Sequence, residues 1–150
     1  MHRYVKAAGR GAVAGLGATV AMTAFMMATR AVGALGELPP RKITKAVLHR
    51  LGIRPSDEAL AGATIAAHLG FGAVVGAAME TLREAGAAER TKLSAIKQSS
   101  AVWAGAYQGV VPASGIMRRP KHDRPLRPTM MLVAHWIYGA VFDELSGRLA

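Results

Sequence analysis

Residues 59–79, with the sequence ALAGATIAAHLGFGAVVGAAM, decide the fold class. This stretch contains no Asp, Glu, Lys or Arg. A helix that spans a bilayer needs about 20 mostly apolar residues, and residues 59–79 have that length and composition. The stretch therefore predicts a membrane-spanning helix.

Three further stretches have the same character. Residues 11–29 and 98–117 contain no charged side chain, and residues 128–145 contain none before Asp143 and Glu144. These two acids at the end of the last stretch are expected at the membrane interface. Together with residues 59–79, the three stretches predict an all-α fold, namely an up-and-down transmembrane bundle of four helices in one membrane domain (residues 1–150).

The charged residues support this interpretation. The chain has 150 residues, 19 Lys and Arg against 9 Asp and Glu, and a net charge of +10. The basic residues all lie outside the apolar stretches, whereas a soluble amphipathic helix carries charges at helical period throughout. Aromatic residues make up only 5% of the chain and are rare among the basic ones, so nucleic-acid binding is not expected. The expected partner is the lipid bilayer.

The expected location is the bacterial inner (plasma) membrane, as a multi-pass protein. The first and third loops hold more Lys and Arg than the other exposed segments, which favours a cytoplasmic position for those loops. The basic N-terminus favours the opposite orientation, so the orientation stays open. A signal peptide is the alternative for the first apolar stretch. That stretch is longer than the roughly 7–15 apolar residues of a signal peptide, and a retained helix is favoured.

A short amphipathic helix is predicted between the first two spans. Leu38-Pro39-Pro40 is expected to stop the first helix, because a residue that precedes proline avoids helical geometry. Ile43, Val47 and Leu51 then recur four apart among basic residues. Such a helix either lies on the membrane surface or packs as a connector on the end of the bundle.

Small residues are expected to allow close packing of the spans. Gly72 and Gly76 form one ridge, Gly105 and Gly109 form another, and Gly139 lies in the last span. Helices within lipid gain no hydrophobic free energy from contact with each other, so close backbone approach at glycine has to supply much of the association.

Pro112 is expected to distort the third span. Proline has no backbone N–H, so the carbonyl of Gln108 loses its usual helical partner. A kink at this position is the predicted result.

The second and fourth spans share a motif. HLGFGAVV begins at His68 and HWIYGAVF begins at His135, and the shared direction of these two spans would place both imidazoles at similar depth. Gly72 and Gly139 follow one helical turn later, and the same faces continue toward Glu80 and Asp143. A polar seam within the bundle is therefore predicted, and an ionisable residue at mid-membrane indicates function by default.

The roles of His68 and His135 remain open at this point. Each imidazole could be neutral and bonded to a backbone carbonyl or to the hydroxyl of Thr19 or Thr23. Alternatively, the pair could relay protons, bind a transition metal, or ligate haem iron as axial ligands. Met22 and Met26 are possible soft metal ligands, but their helical spacing favours core packing. No cofactor is predicted.

No catalytic motif is present in the sequence, and an enzyme is not expected. The chain has no cysteine nucleophile, no phosphate-binding loop and no His-Glu-x-x-His run. The expected function is that of a non-enzymatic membrane protein that acts through helix packing, as a homo-oligomer or with a partner complex. The alternatives are a conduit for protons, ions or small solutes along the polar seam, and a haem or metal protein.

Several short motifs resemble those of one known family. Leu38-Pro39-Pro40-Arg41 follows the first span, His68 and Phe71 lie in the second, and His135-Trp136 lies in the fourth. Gly109, Pro112 and Gly115 lie toward the end of the third span. In these features the chain resembles the YagU-like group of small bacterial inner-membrane proteins. The resemblance implies a multi-helix membrane protein with no assigned enzyme activity and no known ligand.

Overall fold

The structure is a computed structural model, and it describes residues 1–33, 35–118, 122–123 and 125–150. All regular elements in these ranges are helical. They are α1 (His2–Ala31), α2 (Pro39–Arg50), α3 (Asp57–Glu84), α4 (Lys92–Trp103), a π-helical segment (Ala104–Val110), the single turn α5 (Val111–Ala113) and α6 (Arg127–Arg148). The predicted all-α class is therefore confirmed.

Local signals set the ends of α3. The side chain of Ser56 accepts a hydrogen bond from the Ala59 N–H, which satisfies one of the free donors at the start of the helix. Gly86 adopts a φ of +72° just beyond the last turn. This left-handed conformation suits glycine and ends the helix.

Two helices, α1 and α3, are long and apolar enough to cross a membrane, each with a mean hydropathy of 1.6 over its most apolar window. The predicted stretch 128–145 lies inside α6. The predicted stretch 98–117 is not one regular helix, because α4 gives way to the π-helical segment at Ala104 and helical structure ends at Ala113.

The first predicted loop differs in detail from the structure. Helix α1 ends at Ala31, before Leu38-Pro39-Pro40, so the prolines do not stop it. Pro39 and Pro40 instead begin α2, where the first turn has no intrahelical use for a backbone N–H. The predicted short helix with Ile43 and Val47 is present as α2. The loop between the third and fourth predicted spans falls partly on residues 119–121 and 124, which lie outside the described ranges.

The long helices pack in a defined order. Helix α1 lies between α3 and α6, α4 packs on α6, and α2 packs on α3. Helices α3 and α6 run in the same direction. The Tyr138 hydroxyl donates a hydrogen bond to the Gly72 carbonyl, and Arg83 reaches Asp143 near the C-terminal ends of both helices.

Candidate functional site: an apolar cleft between the helices

Four glycines bring α1 and α3 into backbone contact. A Cβ atom on Gly76 would overlap the Gly11 carbonyl oxygen and would lie 2.8 Å from the Gly15 Cα. A Cβ atom on Gly72 would overlap the Thr19 hydroxyl, and one on Gly15 would overlap the Gly72 carbonyl. Gly72 and Gly76 are thus held against the backbone of α1, which fixes the position of α3.

The other predicted packing glycines divide into two groups. A Cβ atom on Gly139 would lie 2.8 Å from the Ala95 carbonyl oxygen and 2.6 Å from the Ser99 Oγ, so α6 contacts α4 at this point. A Cβ atom on Gly105 or on Gly109 would meet no atom within 4 Å among the described residues. These two glycines therefore take no part in close packing between the described helices.

A cleft of about 550 Å³ opens between the helices. It has the size of sites that hold small organic ligands. Every helical element contributes to its wall, which includes both histidines singled out from the sequence. The described lining residues are Thr19, Met22, Met26, Pro39, Pro40, Ile43, Thr44, Ala67, His68, Phe71, Gly72, Val75, Ser99, Val102, Trp103, Ala106, Tyr107, Val110, Val111, Met117, Met131, His135 and Tyr138.

His135 has a defined tautomer on this wall. Its Nδ1 lies 2.7 Å from the Met131 carbonyl oxygen. A carbonyl oxygen only accepts hydrogen bonds, so Nδ1 carries the hydrogen and the Nε2 of the neutral ring keeps a lone pair. That lone pair is free to accept a hydrogen bond or to bind a metal.

His68 lines the same cleft from α3. Its Nε2 is buried and has no hydrogen-bond partner among the described residues. The structure therefore brings the two histidines of the shared motif onto one apolar wall.

The threonine hydroxyls are engaged within α1. Thr19 donates to the Gly15 carbonyl at 2.7 Å, and Thr23 donates to the Thr19 carbonyl at 2.7 Å. Ser and Thr in helices commonly bond back to the preceding turn in this way. These bonds use the donor hydrogens of both hydroxyls.

Aromatic and sulfur-containing side chains form much of the remaining wall. The rings of Trp103 and Tyr107 stack with their centroids 6.0 Å apart. Met22 and Met26 are buried and pack in the core of the protein, and both also face the cleft. The Nε1 of Trp103 is buried and has no partner among the described residues.

The Pro112 region is irregular in a specific way. The helix widens over Ala104–Val110, where the Val111 N–H bonds to the Ala106 carbonyl five residues back. Pro112 follows directly and has no N–H to offer to the Gln108 carbonyl. The distortion expected from Pro112 thus takes the form of a π-helical segment, and this segment supplies Ala106, Tyr107 and Val110 to the cleft.

The two acids of the predicted seam pair with arginines. Glu80 is fully buried and accepts hydrogen bonds from Arg10 at 2.8 Å and from Arg90 at 2.6 Å. Asp143 accepts one from Arg83 at 2.7 Å. Neither acid lines the cleft, so the acids belong to an ionic cluster near the ends of α3 and α6.

Glu80 follows the apolar stretch 59–79, and its ionisation is set by this cluster. Burial acts to raise the pKa of the Glu80 carboxyl. The hydrogen bonds from Arg90 and Arg10 outweigh that effect, and the pKa lies below the ordinary glutamate value.

Buried arginines are the residues that sequence reasoning missed, because the basic residues were treated as one group that lies outside the apolar stretches. The Arg83 side chain is only 2% exposed, and it also donates to the Ser146 hydroxyl and lies over the Phe142 ring. Arg127 is buried and pairs with Asp123 at 2.8 Å. The available signals were the spacings Glu80–Arg83 and Asp123–Arg127, which place opposite charges three and four positions apart.

The described wall of the cleft has neither a cluster of metal-ligating side chains nor a cationic side chain. No group of three His, Cys, Asp or Glu side chains that could hold a metal occurs in the described ranges. The described wall also carries no Lys or Arg, so the carboxylates of a haem would have no cationic partner there.

Comparisons with known proteins found no match: no family model, no curated protein and no solved structure matches this chain.

Proposed function

We propose that the chain is a non-enzymatic, multi-pass protein of the bacterial plasma membrane, with a cleft that takes up a membrane-soluble small molecule. The observation that carries the membrane location is the outer surface of α1 and α3. Val74 is 68% exposed, Ile65 60% and Val20 60%. Water-soluble proteins rarely expose continuous apolar surface of this kind, and lipid would cover it.

Four spans account for the helices in this proposal. They correspond to residues 11–29, 59–79, 98–117 and 128–145, packed as an up-and-down bundle. Irregular backbone at membrane depth is tolerated when protein surrounds it. Tyr107 in the π-helical segment is buried, and its hydroxyl donates to Asp123, which supports an inward position for that part of the segment.

The cleft supports binding better than conduction. A proton or ion path requires a chain of polar groups that can pass the charge along. The hydroxyls of Thr19, Thr23 and Tyr138 all donate to backbone carbonyls, and most of the wall is apolar. A small apolar molecule arriving from the lipid would match this wall.

Assembly with a second copy or a partner complex is the second candidate. Gly70 on α3 and Gly105 and Gly109 near α4 have open space where a Cβ would lie, and such positions allow a neighbouring helix to approach closely. Membership of the YagU-like group is likewise proposed, on the motifs at Leu38-Pro39-Pro40-Arg41 and His135-Trp136.

Cysteine labelling tests the membrane location, because the chain has no cysteine of its own. Val74→Cys places a thiol at the middle of the exposed face of α3, and Ala87→Cys places one in the exposed turn after that helix. When a membrane-impermeant maleimide has access to both faces of the bilayer, it should label position 87 and leave position 74 unlabelled. Detergent should make both reactive.

Equal labelling of both positions before detergent is added would contradict the membrane proposal. Release of the unmodified protein from membranes by alkaline carbonate would contradict it as well.

Crosslinking of a single cysteine at position 70 into a dimer would support the assembly candidate. A chain that stays monomeric in every crosslinking trial would count against it.

A further inference from the structure

Two residues that line the cleft each carry a buried nitrogen with no partner in the described part of the chain. These nitrogens are His68 Nε2 and Trp103 Nε1. The indole N–H can only donate a hydrogen bond. Leaving such a group unpaired in an apolar site costs about 1–3 kcal/mol, and a ligand with a suitable acceptor would remove that cost.

The wall also offers an imidazole nitrogen as an acceptor. His135 donates through Nδ1 to the Met131 carbonyl, so its Nε2 is left with a lone pair. A ligand that satisfies both groups carries a hydrogen-bond acceptor for the Trp103 N–H. In a second chemical form it carries a hydroxyl that donates to His135 Nε2.

Charge and shape narrow the class of ligand further. The described wall has no Asp, Glu, Lys or Arg, so a charged ligand would be buried without a counter-ion. Trp103 and Tyr107 present stacked rings, and Met22 and Met26 present polarisable side chains that pack well against aromatic rings. The wall therefore favours a neutral, planar head group.

We propose that the cleft binds a lipophilic quinone, a neutral planar ring with carbonyl oxygens on an apolar tail. A ring carbonyl accepts from the Trp103 N–H, His68 contacts the ring from α3, and the reduced form donates a hydroxyl to His135 Nε2. This inference rests on the proposed function, because it names the class of molecule that the membrane-embedded cleft takes up.

Binding of decylubiquinone to the purified protein in lipid nanodiscs tests this assignment. Quinone should raise the Tm of the parent protein, because a ligand that binds only the folded state stabilises it. Trp103→Phe keeps an aromatic ring and removes the N–H, so the Kd should rise about tenfold. The folded structure gives that N–H no partner, so the substitution removes some packed volume but no hydrogen bond, and the rise in Tm on adding quinone should be smaller in the variant than in the parent.

Trp136→Phe is the matched control. The indole of Trp136 is 44% exposed and donates to the Ser100 hydroxyl rather than into the cleft. This variant should bind decylubiquinone with the parent Kd. His68→Leu removes the second unpartnered nitrogen of the lining and should also weaken binding, which provides a second variant on a different helix.

Two further compounds separate the possible failures. If decylbenzene binds as tightly as decylubiquinone and Trp103→Phe changes neither Kd, the quinone assignment is wrong and the cleft still binds lipophiles. If neither compound binds, both the quinone assignment and the proposed uptake function are wrong. Tight binding of hemin with a Soret band that is lost in His68→Leu would overturn the quinone assignment in favour of haem.

Discussion

At the scale of single residues, the positions of this protein differ widely in how much change they tolerate. Gly70 and Gly76 are the same type of residue and lie in the same helix. A Cβ atom on Gly70 would meet nothing within 4 Å, whereas one on Gly76 would overlap the backbone of α1. The sequence alone does not separate the two, because the difference depends on which helix lies opposite.

Gly76→Ala should destabilise the protein by about 2 kcal/mol, because backbone atoms of α1 cannot move aside as a flexible side chain can. Gly70→Ala should leave stability unchanged or slightly raised, since alanine loses less conformational entropy than glycine in a helix. Thermal unfolding of both variants in one detergent measures the difference. Equal Tm values for the two would show that the α1–α3 contact is looser than described.

Glu80→Gln should cost about 2 kcal/mol, because Arg10 and Arg90 lose a buried charged acceptor. Glu144→Gln is the control, since Glu144 and its partner Arg148 are both exposed and such pairs contribute about 0–1 kcal/mol. Thermal unfolding at pH 7 measures both. A larger loss in the control variant would contradict the buried role of Glu80.

The pH dependence of stability should also depend on Glu80. Its pKa is lower in the folded protein than in the unfolded chain, so its contribution is complete above the ordinary glutamate pKa of about 4.3. The contribution is lost as the pH falls through the lower folded value. Tm measured from pH 7 down to pH 3 should fall less steeply in Glu80→Gln than in the parent.

At the scale of the elements, the irregular stretch after α4 is built around one proline. The wide turns of Ala104–Val110 lead into Pro112 and place the buried Tyr107 and Val111 on the inner side, while Val110 is 71% exposed. The proline and its missing hydrogen bond are readable from the sequence. The compensating π-helical geometry is not readable, because it goes with a contact between distant residues, the Tyr107–Asp123 bond.

Pro112→Ala should let this stretch relax toward regular α-helix, because residue 112 then supplies an N–H to the Gln108 carbonyl. A change from π to α geometry shifts the register and should turn residue 111 toward the outside. A Val111→Cys thiol should therefore react faster with a small maleimide in detergent when Pro112→Ala is also present. Val110→Cys in both backgrounds serves as the exposed control, and unchanged protection at 111 would show that the surroundings hold the π geometry.

At the scale of the whole molecule, local patterns predicted the helices and missed the long-range pairs. Charge-free stretches such as 59–79 locate helices because composition and length are local properties. The contacts of Glu80 with Arg10 and of Arg83 with Asp143 join residues 70 and 60 positions apart, which no spacing rule predicts. The cleft is similarly hidden, because its wall is assembled from side chains of every helix. The shared motif at His68 and His135 was the one local hint of it.

The two halves of the molecule should reassemble from separate chains. A break after Ala87 falls in the turn between α3 and α4, and spanning helices can insert one by one before they associate. Co-expressed fragments 1–87 and 88–150 should therefore co-purify through the α1–α6 contact. Arg83→Ala should reduce recovery of the partner fragment, because Arg83 reaches Asp143 and Ser146 across the break.

Arg3→Ala is the control for this experiment, because the contacts of the exposed Arg3 with Tyr4 and Glu84 both lie within its own fragment. Recovery with Arg3→Ala should equal that of the parent pair. Full recovery with Arg83→Ala would show that helix packing alone joins the halves.

The burial of Arg83 has a consequence for biosynthesis. Asp143, its acidic partner on α6, lies 60 positions further along the chain. At about 5–20 residues per second, the ribosome needs roughly 3–12 s to make that stretch. During this interval the guanidinium group lacks its partners on α6 and has to stay hydrated. The last turns of α3 therefore reach their final packing only after α6 has been synthesised. Folding of the N-terminal half is complete only once the C-terminal helix is present.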